Sequence, residues 1–160
     1  LIEAEAKFES TVRIGDQEVT LVGYADRLEL DADGDVVVVD FKTSRAAPTG
    51  PAVKGNLQLA LYQYAVDSGA LAEQLGRPAR SGGAELVQLG LEDDSPQARV
   101  QPQEAHAEDG PERELLQIGL SRAASLVRQE AFPAVVGQQC RECQFVAICP
   151  AKSAGSVITR

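Results

Sequence analysis

The chain contains no methionine, although an intact gene product normally begins with one. A sequence opening on Leu1 is therefore expected to be a fragment or a processed form, with part of its site upstream. No apolar run reaches the roughly 18 residues that a membrane span needs. A start with three glutamates in its first ten residues is not what a secretory leader looks like. There are three cysteines, an odd number, which makes no disulfide framework. Positive charge is scarce too: 15 Lys and Arg against 24 Asp and Glu leave a net charge of −9. That balance argues against a stand-alone nucleic-acid binder, whose non-specific affinity comes from Lys and Arg neutralising phosphates. It is compatible with a nuclease that holds metal ions and receives its strand from another module. There are no internal repeats.

What remains is ordinary globular material. The 160 residues, 44% hydrophobic and 24% charged, are enough for one domain with a real core. Ala4 to Ile14 reads as a strand, Gly15-Asp16 as a turn, and Glu18 to Leu30 as a second strand. Asp33-Gly34 is a hairpin signal leading into Val36-Val37-Val38-Val39, apolar on both faces as a central strand should be. A loop with Pro48, Gly50 and Pro51 follows. Asn56 caps a helix to Asp67 that Ser68-Gly69 ends. After Gly82-Gly83 comes a strand from Ala84 to Leu91, with a short edge strand over 98–101. Pro111 opens a helix with Leu116, Leu120, Ala123 and Val127 on one stripe, closed by Phe132-Pro133. Glu92, Asp93, Asp94, Glu104, Glu108, Asp109, Glu112 and Glu114 crowd a central polar stretch, read as solvated loop and helix start. The only histidine, His106, lies in it and reads as an exposed loop residue. The order predicts an α/β fold, a mixed sheet with helices packed on it.

The chemistry concentrates in Gly23-Tyr24-Ala25-Asp26-Arg27 and Val38-Val39-Asp40-Phe41-Lys42-Thr43. Strand alternation puts Val22, Tyr24, Asp26, Leu28 and Leu30 on one face, and Asp40 and Lys42 together on one face of the next strand. Pairing about the Asp33-Gly34 turn sets Asp26 near position 41, so Asp26, Asp40 and Lys42 can converge. Two neighbouring buried carboxylates are costly unless a cation compensates, and Mg²⁺ favours one or two carboxylates plus waters and phosphate oxygens. The plainer reading is a strand-end ion pair with Asp26 a surface residue. The helix from Asn56 to Val66 weighs against it. That helix is apolar nearly all round and expected to be buried, yet carries Gln58 and Tyr62 one turn apart, and buried polar heads need partners.

These three segments, with Gln58-Leu59-Ala60-Leu61-Tyr62 as the last, resemble successive motifs of the RecB-type branch of the PD-(D/E)XK nuclease superfamily. With Gly83 to Leu89 and the cysteine tail, the chain is most similar to the C-terminal nuclease domain of actinobacterial AdnB-like helicase–nucleases. The resemblance implies a restriction-endonuclease-like core over residues 1–139, its N-terminal helix missing, with 140–160 as a cysteine-containing tail of the same domain. It implies Asp26, Asp40 and the Phe41 backbone carbonyl as ligands of Mg²⁺ or Mn²⁺, Lys42 as the catalytic lysine, and Gln58 and Tyr62 as the Gln-x-x-x-Tyr motif. It further implies cleavage of single-stranded DNA fed by helicase domains of the same chain, a second helicase–nuclease subunit, and a cytoplasmic, nucleoid-associated role in DNA end processing and double-strand break repair. The family's metal-site histidine, usually on a helix before the first strand, is absent from this sequence.

Cys140-x-x-Cys143-x5-Cys149 clusters all three thiols, a pattern for zinc or an iron–sulfur cluster. The resemblance implies a [4Fe-4S] cluster in the longer protein, with a fourth cysteine upstream. On that account the fragment is expected to fold, to be nearly inactive and to lack a complete cluster. Two other readings compete with the nuclease: a non-catalytic nuclease-fold module that grips DNA or its helicase, and a small zinc-stabilised interaction domain.

Overall fold

A computed structural model describes residues 3–92 and 97–151 of the chain. Asp93 and Asp94 of the acidic stretch and the end of the cysteine tail, 152–160, lie outside the described residues. The chain divides into two compact units, Leu1–Arg122 and Ala123–Arg160.

The first unit is built on one sheet of five strands in the order β1-β2-β3-β4-β5: Glu3–Ile14, Gln17–Leu30, Val36–Lys42, Ser81–Gln88 and Arg99–Gln103. Only β3 and β4 run parallel, and the crossover between them contains α1 (Gly50–Lys54), α2 (Leu57–Asp67) and α3 (Ala72–Leu75). The sheet is thus mixed with flanking helices, as its sequence pattern implies. At the β2–β3 turn Gly34 takes a left-handed φ of 83°, and the Asp31 carboxylate accepts the amides of Asp33 and Asp35, both at 2.9 Å. Helices α1 and α3 fall where the sequence pattern predicts loop. Thr49 caps α1, whose first turn takes Pro51 without losing a hydrogen bond. Strand β4 begins at Ser81 rather than Ala84, because Val36 and Val37 pair with Ser81 and Gly83. Partner alignment there overrides the preference of two glycines for a turn.

The core lies between one face of the sheet and the crossover helices. Ala6 and Phe8 of β1, Ala25 and Leu28 of β2, Val36 and Val38 of β3, and Ala84 and Leu86 of β4 meet Val53, Leu59, Tyr62, Ala65 and Val66. Each large side chain so buried contributes about 1.5–3 kcal/mol. A second cluster joins Val12 and Ile14 to Ala60, Tyr64 and Leu116, with Leu120 packed on it, which seats the start of α4 (Pro111–Arg128).

One register feature shapes the site. The β1–β2 ladder pairs Ala4 with Arg27 and Ala6 with Ala25 but skips Glu5 and Asp26, and Glu5 has φ 54°. Ala25 and Leu28 are consequently both buried in the core, which strict alternation forbids. The predicted shared face of Tyr24, Asp26 and Leu28 is therefore broken, since the chain kinks at Asp26 and Tyr24 is left exposed. Such irregularities re-aim a side chain.

In the second unit the end of α4 stops at Arg128, short of Phe132-Pro133. Glu130 there turns left-handed at φ 52°, and the Ala131 amide donates to the Leu126 carbonyl at 2.9 Å. A 3₁₀ turn, Gln138–Arg141, carries Cys140.

Two buried amides join the elements of the first unit. Gln103 donates to the carbonyls of Val53 and Lys54, both at 2.9 Å, and of Asn56 at 3.2 Å, and accepts from fully buried Gln63 at 3.0 Å. We expect Gln103→Leu to lower stability by about 1–3 kcal/mol, the penalty for orphaned buried groups. Urea unfolding followed by circular dichroism measures it, and a loss under half a kilocalorie would contradict this role for the amide.

Candidate active site

Strand β3 runs outward from the core, so its last residues reach the edge of the buried region. Asp40 faces the crossover helices and is 2% exposed, whereas the Lys42 side chain, two residues on and on the same face, is 35% exposed. Their side chains meet, with Lys42 Nζ 2.7 Å from Asp40 Oδ2. That oxygen is buried, and among the described residues the Lys42 ammonium is its partner.

Asn56 accepts the Leu59 amide at 3.1 Å and so starts α2, whose first turn lies over the end of β3. Gln58 bridges the ion pair from there. Its Oε1 accepts from Lys42 Nζ at 3.0 Å, while its Nε2 donates to Asp40 Oδ1 at 3.0 Å and to the Tyr62 hydroxyl at 2.9 Å. The opposite amide orientation would set two donors against the ammonium, so the network itself fixes this one. The Tyr62 hydroxyl donates in turn to the Tyr24 carbonyl at 3.1 Å, and its ring meets Phe8 edge-on at 5.8 Å. Asp26 joins through the backbone, its Oδ2 accepting the Phe41 amide at 2.7 Å.

The structure thus gathers Asp26, Asp40, Phe41, Lys42, Gln58 and Tyr62 at one end of the sheet. Gln58 is exposed rather than buried, because it occupies the open first turn of α2, while residues 59–66 are largely covered. Burial raises the Tyr62 pKa above 10.0, the Gln58 hydrogen bond opposes this, and the charges of Asp40 and Asp26 add to the rise against that of Lys42.

The donors present suit a hard divalent cation: two carboxylates, one with a buried oxygen met only by the Lys42 ammonium among the described residues, beside the Phe41 main chain, whose amide Asp26 accepts. Among the described residues no group of three or more His, Cys, Asp or Glu could hold a metal. A cation at this site would therefore complete its shell with waters or ligand oxygens. The same observation covers Cys140, Cys143 and Cys149, which are half-buried, free, and not assembled into a metal-holding group. His106 is half-buried rather than exposed. Its backbone amide donates to buried Gln63 at 2.9 Å, and it lines a cavity of about 380 Å³ with Asp67, Arg80 and Arg113 at the far end of α2. Burial lowers its pKa below 6.5, with Glu112 and Asp67 opposing and Arg113 assisting.

Sequence reasoning missed the buried amides Gln63, Gln88 and Gln103. The signal that singled out Gln58, an amide inside an apolar run, was equally present for Gln63 and Gln88.

A family model described as the PD-(D/E)XK nuclease superfamily matches residues 1–150. Comparison with curated proteins gives no match. Among solved structures, the crystal structure of SSO0001 is similar, with a TM-score of 0.57 at 20% identity, over 94% of this chain and 61% of that one. This chain therefore spans less than two thirds of that relative's length, and the likeness is one of fold.

Because folding raises the Tyr62 pKa, its contribution to stability is fully present below pH 10.0 and is lost as pH rises through the folded-state value above it. Thermal melts between about pH 9 and 11.5 should fall more steeply for the native chain than for Tyr62→Phe. Parallel curves would show that the phenol is not held in this environment.

Proposed function

The chain belongs to the PD-(D/E)XK nuclease superfamily, and on that footing we propose that it hydrolyses phosphodiester bonds of DNA at the Asp26–Asp40–Lys42 site with Mg²⁺ or Mn²⁺, the metals this superfamily typically uses. The observation that carries the reading is Gln58, which ties the Lys42 ammonium to the Asp40 carboxylate at 3.0 Å on each side. A bridging amide also helps to compensate the buried Asp40 carboxylate, but here it fixes the ammonium as well. An ion pair needed for chemistry has to hold its ammonium at a fixed point.

Asp26, Asp40 and the Phe41 carbonyl would hold the cation, which when bound lowers the pKa of a water and stabilises the charge that builds on the phosphate. The protein's own part is positional. Asp40 supplies a desolvated charge, and Asp26 is fixed through the Phe41 amide. Lys42, half-exposed, holds its ammonium between Asp40 and Gln58 at the edge of the buried region, where it can orient the attacking water or meet the developing negative charge. Gln58 and Tyr62 keep that ammonium from swinging away, and such preorganised charge is a large term in catalysis.

The wider role in this proposal is an exonuclease acting on single strands delivered by helicase domains of a longer chain, with a second helicase–nuclease subunit, during DNA end processing and break repair. It rests on the likeness of the motifs to RecB-type, AdnB-like helicase–nucleases. The spacing of Cys140, Cys143 and Cys149 supports a [4Fe-4S] cluster in that longer protein, as the tail of the same nuclease domain.

Cleavage of a labelled single-stranded oligonucleotide with Mn²⁺ by the longer protein tests the core of this reading. Asp40→Asn and Lys42→Ala should each reduce the rate by about a hundred- to a thousand-fold, with a native far-ultraviolet spectrum. Wild-type rates in either folded variant would refute the assignment and favour a binding module. Asp26→Asn keeps the acceptor for the Phe41 amide but loses the charge. It should weaken metal affinity and recover part of its activity at raised Mn²⁺, and the role of Asp26 is wrong if DNA binding collapses while metal affinity is unchanged.

A further inference from the structure

The excursion from Lys42 to Gln58 links two residues of the site, yet it contributes only Val53 to the core, and residues 43–46 are exposed. What holds it is a row of glutamines on one face of β4 and β5. Gln88 is the parallel-strand neighbour of Lys42, and Gln101 pairs with Leu86, two residues back on the same face of β4. Gln103, two residues further along β5, completes the row.

Each amide grips the excursion at a different point. Ser44 Oγ lies 3.2 Å from both Gln88 Oε1 and the Ala46 carbonyl, which share its one proton. Gln101 Nε2 donates to the Pro48 carbonyl at 2.9 Å, and Gln103 Nε2 takes the carbonyls of Val53, Lys54 and Asn56. The backbone adds two contacts beside the lysine. The Leu89 amide donates to the Lys42 carbonyl at 2.8 Å, and Gly90 lies so close to the Thr43 carbonyl that a Cβ there would overlap it.

Gln88 is 1% exposed, and its Nε2 finds no hydrogen-bond partner among the described residues; nor does the buried Oε1 of Gln101. A leucine of similar size would avoid burying those orphaned atoms. The amides differ from leucine in one useful respect, the bond each makes to residues 44–48.

We propose that Gln88 and Gln101 are positioning residues for Lys42, clamping the segment that leaves the lysine onto β4 and β5 so that its ammonium stays between Asp40 and Gln58. The inference deepens the nuclease reading and rests on it for the role of Lys42. The clamp itself is independent of any reaction. Gln88 is buried and Gln101 half-buried, each turned to the segment it holds, so the role is one of positioning rather than of contact with substrate.

The experiment uses the whole chain with Gln88→Leu, Gln101→Leu and Ser44→Ala. The last breaks the Gln88 bond from the exposed side and so spares the core if Gln88→Leu fails to fold. Hydrogen exchange of the Leu89 amide, which donates to the Lys42 carbonyl, should accelerate about five-fold for each lost bond, the equivalent of one hydrogen bond, with α2 unchanged. The Lys42 ammonium, followed by ¹⁵N NMR, should become more mobile, and kcat for oligonucleotide cleavage with Mn²⁺ should fall while KM holds. Unchanged exchange and an unchanged Lys42 signal overturn the clamp, whatever the cleavage result. A loosened segment and mobile Lys42 with full kcat overturn the positioning role. Where the wild-type chain cuts too slowly to follow, as expected of the fragment, exchange and the lysine signal decide the clamp by themselves.

Discussion

A carboxylate 2% exposed must be compensated, and the way Asp40 is compensated organises this end of the molecule. Its charge is met by Lys42 at 2.7 Å, one strand repeat further on. That lysine is held in turn by Gln58, and Gln58 by Tyr62. Each partner comes from a different part of the topology. Strand β3 must be central, with β2 and β4 on its two sides, for its end to be both covered and framed. The parallel β3–β4 pairing demands a crossover, and the crossover returns α2 with its first turn over the β3 end. The Tyr62 hydroxyl then reaches the Tyr24 carbonyl on β2, which closes the frame.

Asp26 enters by a different device. A strictly alternating β2 would leave it either in the core or in solvent. The missed pair at Glu5 and Asp26 lets the strand keep Ala25 and Leu28 buried while Asp26 turns toward the Phe41 amide. The second carboxylate thus depends on a local irregularity in β1 and β2, and the first on burial. Both lie beside the Phe41 main chain, the arrangement a divalent cation with waters and phosphate oxygens would use.

Much of this was legible in the sequence because the signals were local. Asn56 as a cap, Asp33-Gly34 as a turn and the four valines as a covered strand are short-range patterns, and the structure contains each. Asp40 and Lys42 follow from the period of a strand alone. The rest depends on what the chain meets. The kink at Asp26 arises from its pairing with β1, and the start of β4 at Ser81 from its alignment with β3. The short helix α1 sits on Gln103, some 50 residues away, whose amide satisfies its last carbonyls. The exposure of Gln58 depends on which turn of α2 overhangs the sheet, which helix composition cannot tell.

The acidic chain offers a divalent cation more than one destination, and a working site at Asp26 and Asp40 requires that the cation choose it. Adding substoichiometric Mn²⁺ to ¹⁵N-labelled protein broadens the NMR signals nearest the bound ion. A cation held by Asp26 and Asp40 should remove selectively the amide signals of Asp26, Phe41 and Lys42 and of the Gln58 side-chain amide, and excess Mg²⁺ should restore them. Broadening confined to residues around Glu104, Glu108 and Glu112, with those four signals intact, would contradict it.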